Sequence, residues 1–169
     1  MDRLYLGSVM GNMESWLGCR SLRTLSVRVQ RQSSNTEKLV HWIGTALHSS
    51  SPSSSLSDDD KAVRACVAQV FHASLQKKDD WLLKQMPNGY GPVFSITLKD
   101  ANMARKLPSK LSFFHHATSL GGVESLIEWR SMSDAHVDQR LLRVSIGLEN
   151  WEDLRDDLAQ AFKRLVDGE

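Results

Sequence analysis

The side chains best suited to hold a small ligand lie in the last third of this chain. Arg143 begins an arginine-x-serine-x-glycine pattern on a predicted strand, and the predicted turn Ser119-Leu120-Gly121-Gly122 precedes it. A guanidinium can bind a carboxylate through two parallel charge-assisted hydrogen bonds, and glycines let a ligand approach the backbone closely. From the strand alone, a solvent-facing arginine or a structural ion pair is the favoured interpretation. A plain hairpin turn is an equal alternative for the glycines.

The other potentially reactive side chains do not form a recognisable site. His115 and His116 are adjacent on a predicted strand, so they should point to opposite faces and cannot bind one metal ion together. Cys19 and Cys66 have no metal-ligand spacing, which predicts two reduced, buried thiols in a cytosolic protein. Glu149 has no obvious proton-transfer partner and is interpreted as a structural residue. The sequence therefore predicts no metal site.

The charge balance argues against binding to nucleic acid or a membrane surface. The 169 residues contain 21 Lys plus Arg and 20 Asp plus Glu, a net charge of +1. Such a chain has no long-range field to attract polyanions. The basic stretch 20–31 lacks interleaved aromatic residues, so a solvated helix face or contacts with a neighbouring domain's acids are expected instead. No apolar stretch has the length of a membrane span.

Three regions should position these side chains. Residues 1–48 are predicted to form a helical arm, with a possible break at Ser33-Ser34-Asn35. Residues 49–60, rich in serine and aspartate, are predicted to be a mobile loop. Residues 61–169 are predicted to form a small α/β domain, in which a mixed sheet is covered on one face by helices.

Within this domain the patterns predict strands separated by single helices. Asp79 or Asp80 should cap a short helix ending near residue 86, and Asp100 should cap a helix that Pro108 stops. The final helix should run over 151–166 behind Asn150, with an apolar stripe on one side. Strands are expected at 65–75, 93–99, 111–117, 124–129 and 140–146.

Three segments together resemble the C-terminal part of the transsulfuration family. They are RSLRTLSVRVQRQSSN at 20–35, ATSLGGVESLI at 117–127 and LRVSIGLENWEDL at 142–154. That family includes cystathionine synthases and lyases, homoserine-ester sulfhydrylases and methionine γ-lyases. Trp129 and Arg130 stand where many relatives have a proline-containing loop, so the chain resembles a divergent branch.

The resemblance implies a fold-type I enzyme that uses pyridoxal phosphate and an amino-acid substrate. It assigns the substrate α-carboxylate to Arg143, a substrate contact to Ser119 and a specificity position to Thr118, where several relatives have an acidic residue. The family's Schiff-base lysine lies upstream of the first motif, so none of the lysines here is expected to be catalytic. The orientation of the substrate matters because the bond to be broken must stand perpendicular to the conjugated ring.

Two functions follow as expectations. In the first, the chain supplies the carboxylate-binding part of an enzyme of sulfur amino-acid metabolism. In the second, it is a truncated relic or a regulatory interaction domain. Met10, Met13, Trp16 and Leu17 form an apolar stripe that a missing domain would cover, so self-association or association with a full-length relative is expected.

Overall fold

The computed structural model describes residues 5–7, 9–50, 56–77 and 79–168. The protein combines helices and strands, as the sequence predicts for an α/β protein. Helices and strands alternate from residue 58 to residue 106, but the three strands between residues 115 and 145 follow one another without an α-helix, so the prediction of strands separated by single helices is wrong there. Short 3-10 turns cover Ala73–Leu75, Leu107–Lys110 and Arg130–Met132. The helices are α1 (Asn12–Leu22), α2 (Leu25–His48), α3 (Asp58–Cys66), α4 (Asp80–Gln85), α5 (Ala101–Lys106) and α6 (Trp151–Val166), and the strands are β1 (Val67–Phe71), β2 (Val93–Leu98), β3 (His115–His116), β4 (Leu126–Trp129) and β5 (Leu141–Ser145).

The five strands form one mixed sheet in the order β1-β2-β5-β4-β3. Three neighbouring pairs are antiparallel, and β3 pairs with β4 in parallel. The predicted mixed sheet is confirmed. The parallel pairing of β3 and β4 also rules out a hairpin for the turn 119–122, because a hairpin joins antiparallel strands.

The two faces of the sheet have different environments. Ile96, Leu142 and Val144 point to the face on which the helices pack, and all three are completely buried. Because side chains alternate along a strand, Arg143 lies on the opposite face. Its cross-strand neighbours there are Ser95 of β2 and Glu128 of β4.

The break between the two leading helices falls at Arg23 and Thr24, so the predicted break at Ser33-Ser34-Asn35 is wrong. Residues 32–36 remain helical because four of their side chains are buried. Those of Gln32, Ser33 and Asn35 bond to loops across the protein, and the Thr36 hydroxyl donates to the Gln32 carbonyl oxygen of its own helix. The second half of α2 continues into the core through Leu39, Val40 and Ile43.

The serine-rich segment ends earlier than predicted. Residues 58–60 form the first turn of α3, and Ser57 caps it by accepting a hydrogen bond from the Asp60 backbone N–H. Acidic residues in the first turn also suit the positive end of a helix. Residues 51–55, the centre of the predicted mobile loop, lie outside the described residues.

Two predicted strands are shorter in the structure. The apolar run 65–75 gives β1 only over Val67–Phe71, because Cys66 closes α3 and Ala73 begins a 3-10 turn. The run 111–117 gives only His115–His116, because the Ser112 and Phe113 backbone N–H groups donate to the Asp157 carboxylate instead.

Other predicted elements are confirmed. The final helix spans Trp151–Val166, with its apolar stripe buried, although the Asn150 side chain makes no capping hydrogen bond. Asp100 caps α5 by accepting from the Asn102 and Met103 backbone N–H groups. None of the helices in the described part of the chain has the length and apolarity that a bilayer crossing requires.

Candidate functional site

Arg143 points toward the 117–122 turn. Its Nη2 donates to the carbonyl oxygens of Thr118 at 2.6 Å and Ser119 at 2.8 Å, and lies 3.1 Å from Oε2 of Glu128. All of the contacts of this guanidinium involve Nη2. Its Nε is buried without a hydrogen-bond partner, and Nη1 has no partner among the described residues. The Nη1 group, which is not among the buried atoms, could donate to an anion.

Glu128 joins two arginines on this face of the sheet. Its side chain is only 1% exposed, and its carboxylate accepts hydrogen bonds from Nη1 of Arg130 at 3.0 and 2.9 Å and from Oγ of Ser133 at 2.7 Å. Burial alone would raise the pKa of Glu128, but the hydrogen bonds from Ser133 and Arg130 and the charge of Arg143 outweigh it and hold the pKa below its ordinary value. Glu128 is therefore a carboxylate at neutral pH.

The arginine-x-serine-x-glycine pattern has a geometric reason. Arg143 and Ser145 share one face of β5, because residues two apart on a strand point the same way, and Gly147 lies two residues beyond the strand's end. Arg143 binds carbonyl oxygens of the turn, the Ser145 hydroxyl accepts from the Gly121 N–H at 2.9 Å, and the Gly147 N–H donates to Ser125 Oγ at 2.9 Å. The segment after β3 thus bonds to β5 and the residue pair after it at three alternate positions.

Gly147 also leaves room that no other residue would leave. A Cβ at this position would collide with the Val123 carbonyl oxygen, with Oε2 of Glu149, and with the Glu124 carbonyl carbon at 2.6 Å. Glu149 holds the same segment by accepting from the Ser125 N–H at 2.7 Å and from its hydroxyl at 2.9 Å. These contacts agree with the predicted structural role of Glu149.

Helix α2 fixes the two loops from the other side. The side-chain amide of Gln32 donates to the carbonyl oxygens of Gly122 at 2.6 Å and Ile146 at 3.0 Å. Asn35 Nδ2 donates to the carbonyl oxygen of Glu149 at 2.8 Å. The turn and the end of β5 therefore share supports on a single helix.

Ser119 and Thr118 are brought to Arg143 through their backbone. Both residues are exposed, and neither hydroxyl has a hydrogen-bond partner within the described ranges. Their carbonyl oxygens bind the guanidinium, while the side chains are left open to solvent. Gly121 adopts φ +76°, a conformation that favours glycine and lets the turn fold back over the sheet.

The remaining candidates lie apart from this cluster. His115 and His116 are exposed at the edge of the sheet, and the described residues contain no group of three or more His, Cys, Asp or Glu side chains placed to bind a metal. Burial raises the pKa of the Cys66 thiol to about 11, whereas Cys19 is exposed on α1, so the prediction of two buried thiols is wrong for Cys19. Burial lowers the pKa of His72, and this outweighs the opposite effects of its hydrogen bond to the Gly91 carbonyl oxygen and of the Glu37 charge, both of which raise the pKa.

The apolar stripe on α1 is exposed. This helix has no buried residue, and Met10, Met13, Trp16 and Leu17 are between 45% and 68% exposed. The basic stretch beside it is partly used within the chain, since Arg20 stacks over Trp16 and Arg31 donates to Asn150 Oδ1. Helix α1 thus shows an apolar surface to solvent.

Glu128 is the site residue that sequence reasoning missed. It stands in a run otherwise made of Leu126, Ile127 and Trp129, and a single charge in such a strand needs a partner. That partner could not be identified without the register that sets it opposite Arg143. Ser145 and Gly147 could have been found from the period of two that starts at Arg143.

A family model described as "Cys/Met metabolism PLP-dependent enzyme" matches residues 2–163 of this chain. A cystathionine β-lyase from Lactococcus lactis subsp. cremoris is 29% identical over 171 residues, which cover 94% of this chain and 40% of the relative. The chain thus spans about two fifths of the length of the curated relatives it matches.

Two solved structures resemble the fold along nearly the whole chain. An apo methionine γ-lyase from Micromonospora echinospora has a TM-score of 0.73 at 27% identity, covering 96% of this chain and 42% of that one. A putative O-acetylhomoserine (thiol)-lyase from Campylobacter jejuni, solved with N′-pyridoxyl-lysine-5′-monophosphate, has a TM-score of 0.71 at 27% identity, covering 94% and 37%. These similar proteins carry the names of different reactions.

Proposed function

The chain belongs to the family of Cys/Met metabolism PLP-dependent enzymes, and from this we propose that it forms the part that binds the substrate's α-carboxylate. The observation that carries the proposal is the guanidinium of Arg143, which is held at Nη2 by the turn and by Glu128 while its Nη1 has no hydrogen-bond partner among the described residues. An amino acid's carboxylate matches this donor in charge and size. Thr118 and Ser119, whose exposed side chains flank the guanidinium, would contact the rest of the substrate.

The described residues do not provide a complete site for pyridoxal phosphate. In this family the cofactor acts as an electron sink for the bound amino acid. Lys61, Lys77 and Lys163 pair with aspartates, and Lys38 lies over the Trp151 ring. No described lysine forms a hydrogen bond or ion pair with Arg143, Glu128 or the 117–122 turn. We therefore assign no cofactor step to these residues and propose that the cofactor is held elsewhere in the assembled enzyme.

The test is a ligand titration followed by nuclear magnetic resonance of the isotope-labelled chain. L-Methionine should shift the Arg143 Nε–H signal and the amides of Gly121 and Gly122, with a dissociation constant of about 1–10 mM. The decarboxylated analogue 3-(methylthio)propylamine should shift them far less. Arg143→Met should abolish the response. Arg140→Met is the matched control, because Arg140 pairs with Asp138 and does not touch the turn.

Two results of this titration would contradict carboxylate binding by Arg143. Equal shifts with both ligands would show that the carboxylate is not recognised, and an unchanged response in Arg143→Met would place binding elsewhere. Sodium borohydride treatment in the presence of pyridoxal phosphate gives a second readout. A stable adduct on one specific lysine of this chain would contradict the proposal that the cofactor is held elsewhere.

A second candidate function is a non-catalytic interaction domain, favoured by the exposed apolar stripe of α1. In this case the chain would bind a full-length relative without completing a site. Size-exclusion chromatography of a mixture with such a relative from the same proteome should then give a larger complex whose activity does not depend on Arg143.

For location we propose the cytosol, since both cysteines are free thiols.

A further inference from the structure

Glu128 forms an ion pair with Arg143, the residue proposed to bind the ligand's carboxylate. A guanidinium already paired with a carboxylate has its charge neutralised, and a ligand would have to compete with the protein's own acid. With its 1%-exposed side chain, Glu128 is also a buried charge that cannot move into solvent. The net charge around Arg143 therefore depends on the other charged side chains that contact Glu128.

Arg130 supplies the missing charge. Its Nη1 lies 3.0 and 2.9 Å from the two oxygens of Glu128, whereas Arg143 approaches only Oε2, at 3.1 Å. Two guanidinium groups and one carboxylate leave the cluster with a formal charge of +1. The Arg130 side chain is 30% exposed and that of Arg143 is 16% exposed, so the excess charge sits close to the open turn.

We propose that Glu128 and Arg130 are positioning residues that act through Arg143. Glu128 holds the guanidinium at Nη2 and leaves Nη1 toward the ligand. Arg130 pairs with Glu128, so that this carboxylate does not cancel the positive charge that Arg143 presents to the ligand. The inference rests on the proposed carboxylate-binding function. Neither residue touches the ligand, and both determine how well Arg143 is prepared for it.

This arrangement lowers the cost of binding. A free arginine side chain loses substantial rotamer freedom when it grips a ligand, and a guanidinium that is already held does not lose it again. The Thr118 and Ser119 carbonyl oxygens hold Nη2 on its other side, so the guanidinium plane is set by acceptors from a strand and from a turn. The ligand then meets a donor whose direction is fixed.

The test combines Glu128→Gln, Arg130→Gln and the double variant. Removing the acid would tighten ligand binding if Glu128 only competed for Arg143. Under the proposal Glu128→Gln instead weakens L-methionine binding about tenfold, because the buried ion pair that holds Nη2 is lost. Arg130→Gln should weaken it about threefold, as expected for a partly exposed charge. In the Glu128→Gln background Arg130→Gln should add no further loss, because Arg130 acts only through Glu128.

A readout in the free protein separates this inference from the proposed function. Rotation about the Arg143 Nε–Cζ bond, measured from its side-chain nitrogen signals, should be several times faster in Glu128→Gln than in the unaltered chain. If the rotation becomes faster in Glu128→Gln but the unaltered chain binds no amino acid, the carboxylate-binding function is wrong, although Glu128 does position Arg143. Unchanged rotation, or tighter binding in Glu128→Gln, would overturn the positioning role.

Two further variants guard against loss of the fold. Truncating one member of a buried charge pair can be strongly destabilising, so Glu128→Asp, which keeps the charge, should restore part of the slow rotation and of the affinity. Arg140→Gln is the matched control, since its 47%-exposed side chain pairs with Asp138. It should leave both quantities unchanged, and a loss of affinity equal to that of Arg130→Gln would show a general charge effect and refute the inference.

Discussion

Gly147→Ala is the substitution for which the structure predicts the sharpest loss. The φ angle of Gly147 is not positive, so an alanine is compatible with the backbone conformation. The obstacle is space, because the new Cβ would meet two backbone atoms, the Val123 oxygen and the Glu124 carbonyl carbon, as well as Oε2 of Glu149. The Val123 oxygen cannot easily retreat, since it accepts the Leu148 N–H at 2.8 Å.

The expected cost has two parts. Forcing a methyl group into a well-packed position costs about 1–3 kcal/mol. Moving the Glu149 carboxylate aside also breaks at least one of its hydrogen bonds to Ser125, which contributes about 1.5–3 kcal/mol for a charged acceptor. Together these give a loss of about 2.5–6 kcal/mol, a large share of the roughly 5–15 kcal/mol that stabilises a typical domain. Since Ser125 ends the segment that begins with the turn, the response of the turn to a carboxylate ligand should also be lost.

Urea denaturation followed by tryptophan fluorescence measures the free energy of unfolding directly. Gly44→Ala is the matched control. Gly44 lies inside α2, a Cβ there meets nothing within 4 Å, and alanine should stabilise the helix by about 1 kcal/mol. A Gly147→Ala protein within about 1 kcal/mol of the unaltered chain, with its ligand response intact, would refute the packing argument.

Four other outcomes are expected. Asp157→Ala should lower the free energy of unfolding by about 2–4 kcal/mol, because the carboxylate accepts hydrogen bonds from two backbone N–H groups. Asp157→Asn should lower it by less, and urea denaturation measures both variants. A thiol reagent at about pH 8 should label Cys19 quickly and Cys66 only in denaturant, because Cys66 is buried with a pKa raised to about 11. The pKa of His72 is lowered in the folded state, so the free energy of unfolding should decrease as the pH falls below 6.5. His72→Gln should make this decrease smaller in urea denaturation at each pH. Trp16→Lys should reduce self-association measured by light scattering, because it places a charge in the exposed stripe.

Each of these has a contradicting result. Equal stability of the two Asp157 variants and the unaltered chain would show that the backbone groups find other partners. Rapid labelling of both thiols in buffer would show that α3 opens readily. An identical pH dependence in His72→Gln would assign the acid loss to other groups. A monodisperse monomer before any substitution would remove the basis for the Trp16 prediction.

The sequence was most informative where local pattern and tertiary environment agree. Helix α6 begins and ends as predicted, because an apolar stripe, acidic residues at its start and basic residues at its end all indicate the same segment. The strand predicted at 93–99 likewise forms over Val93–Leu98, and its alternating pattern buries Phe94, Ile96 and Leu98 on one face. The proximity of Arg143 to the turn followed from the resemblance to a family and not from the strand itself.

Long-range contacts explain what the sequence could not reveal. Ser33 and Asn35 tend to break helices when they bond locally, but here the Ser33 hydroxyl accepts from the Gly91 N–H and the Asn35 amide binds the Glu149 carbonyl oxygen. The Asp157 carboxylate similarly takes the N–H groups that a longer β3 would have used. The role of Glu128 required the strand register, which no local pattern encodes.

Helix α2 has a mechanical consequence for the proposed site. With 24 residues it is about 36 Å long, and its first turns carry no buried residue while Gln32 and Asn35 hold the loops around Arg143. Because the Gln32 amide bonds to the carbonyl oxygens of both Gly122 and Ile146, a shift of α2 would move the turn and the end of β5 together unless one of these hydrogen bonds breaks.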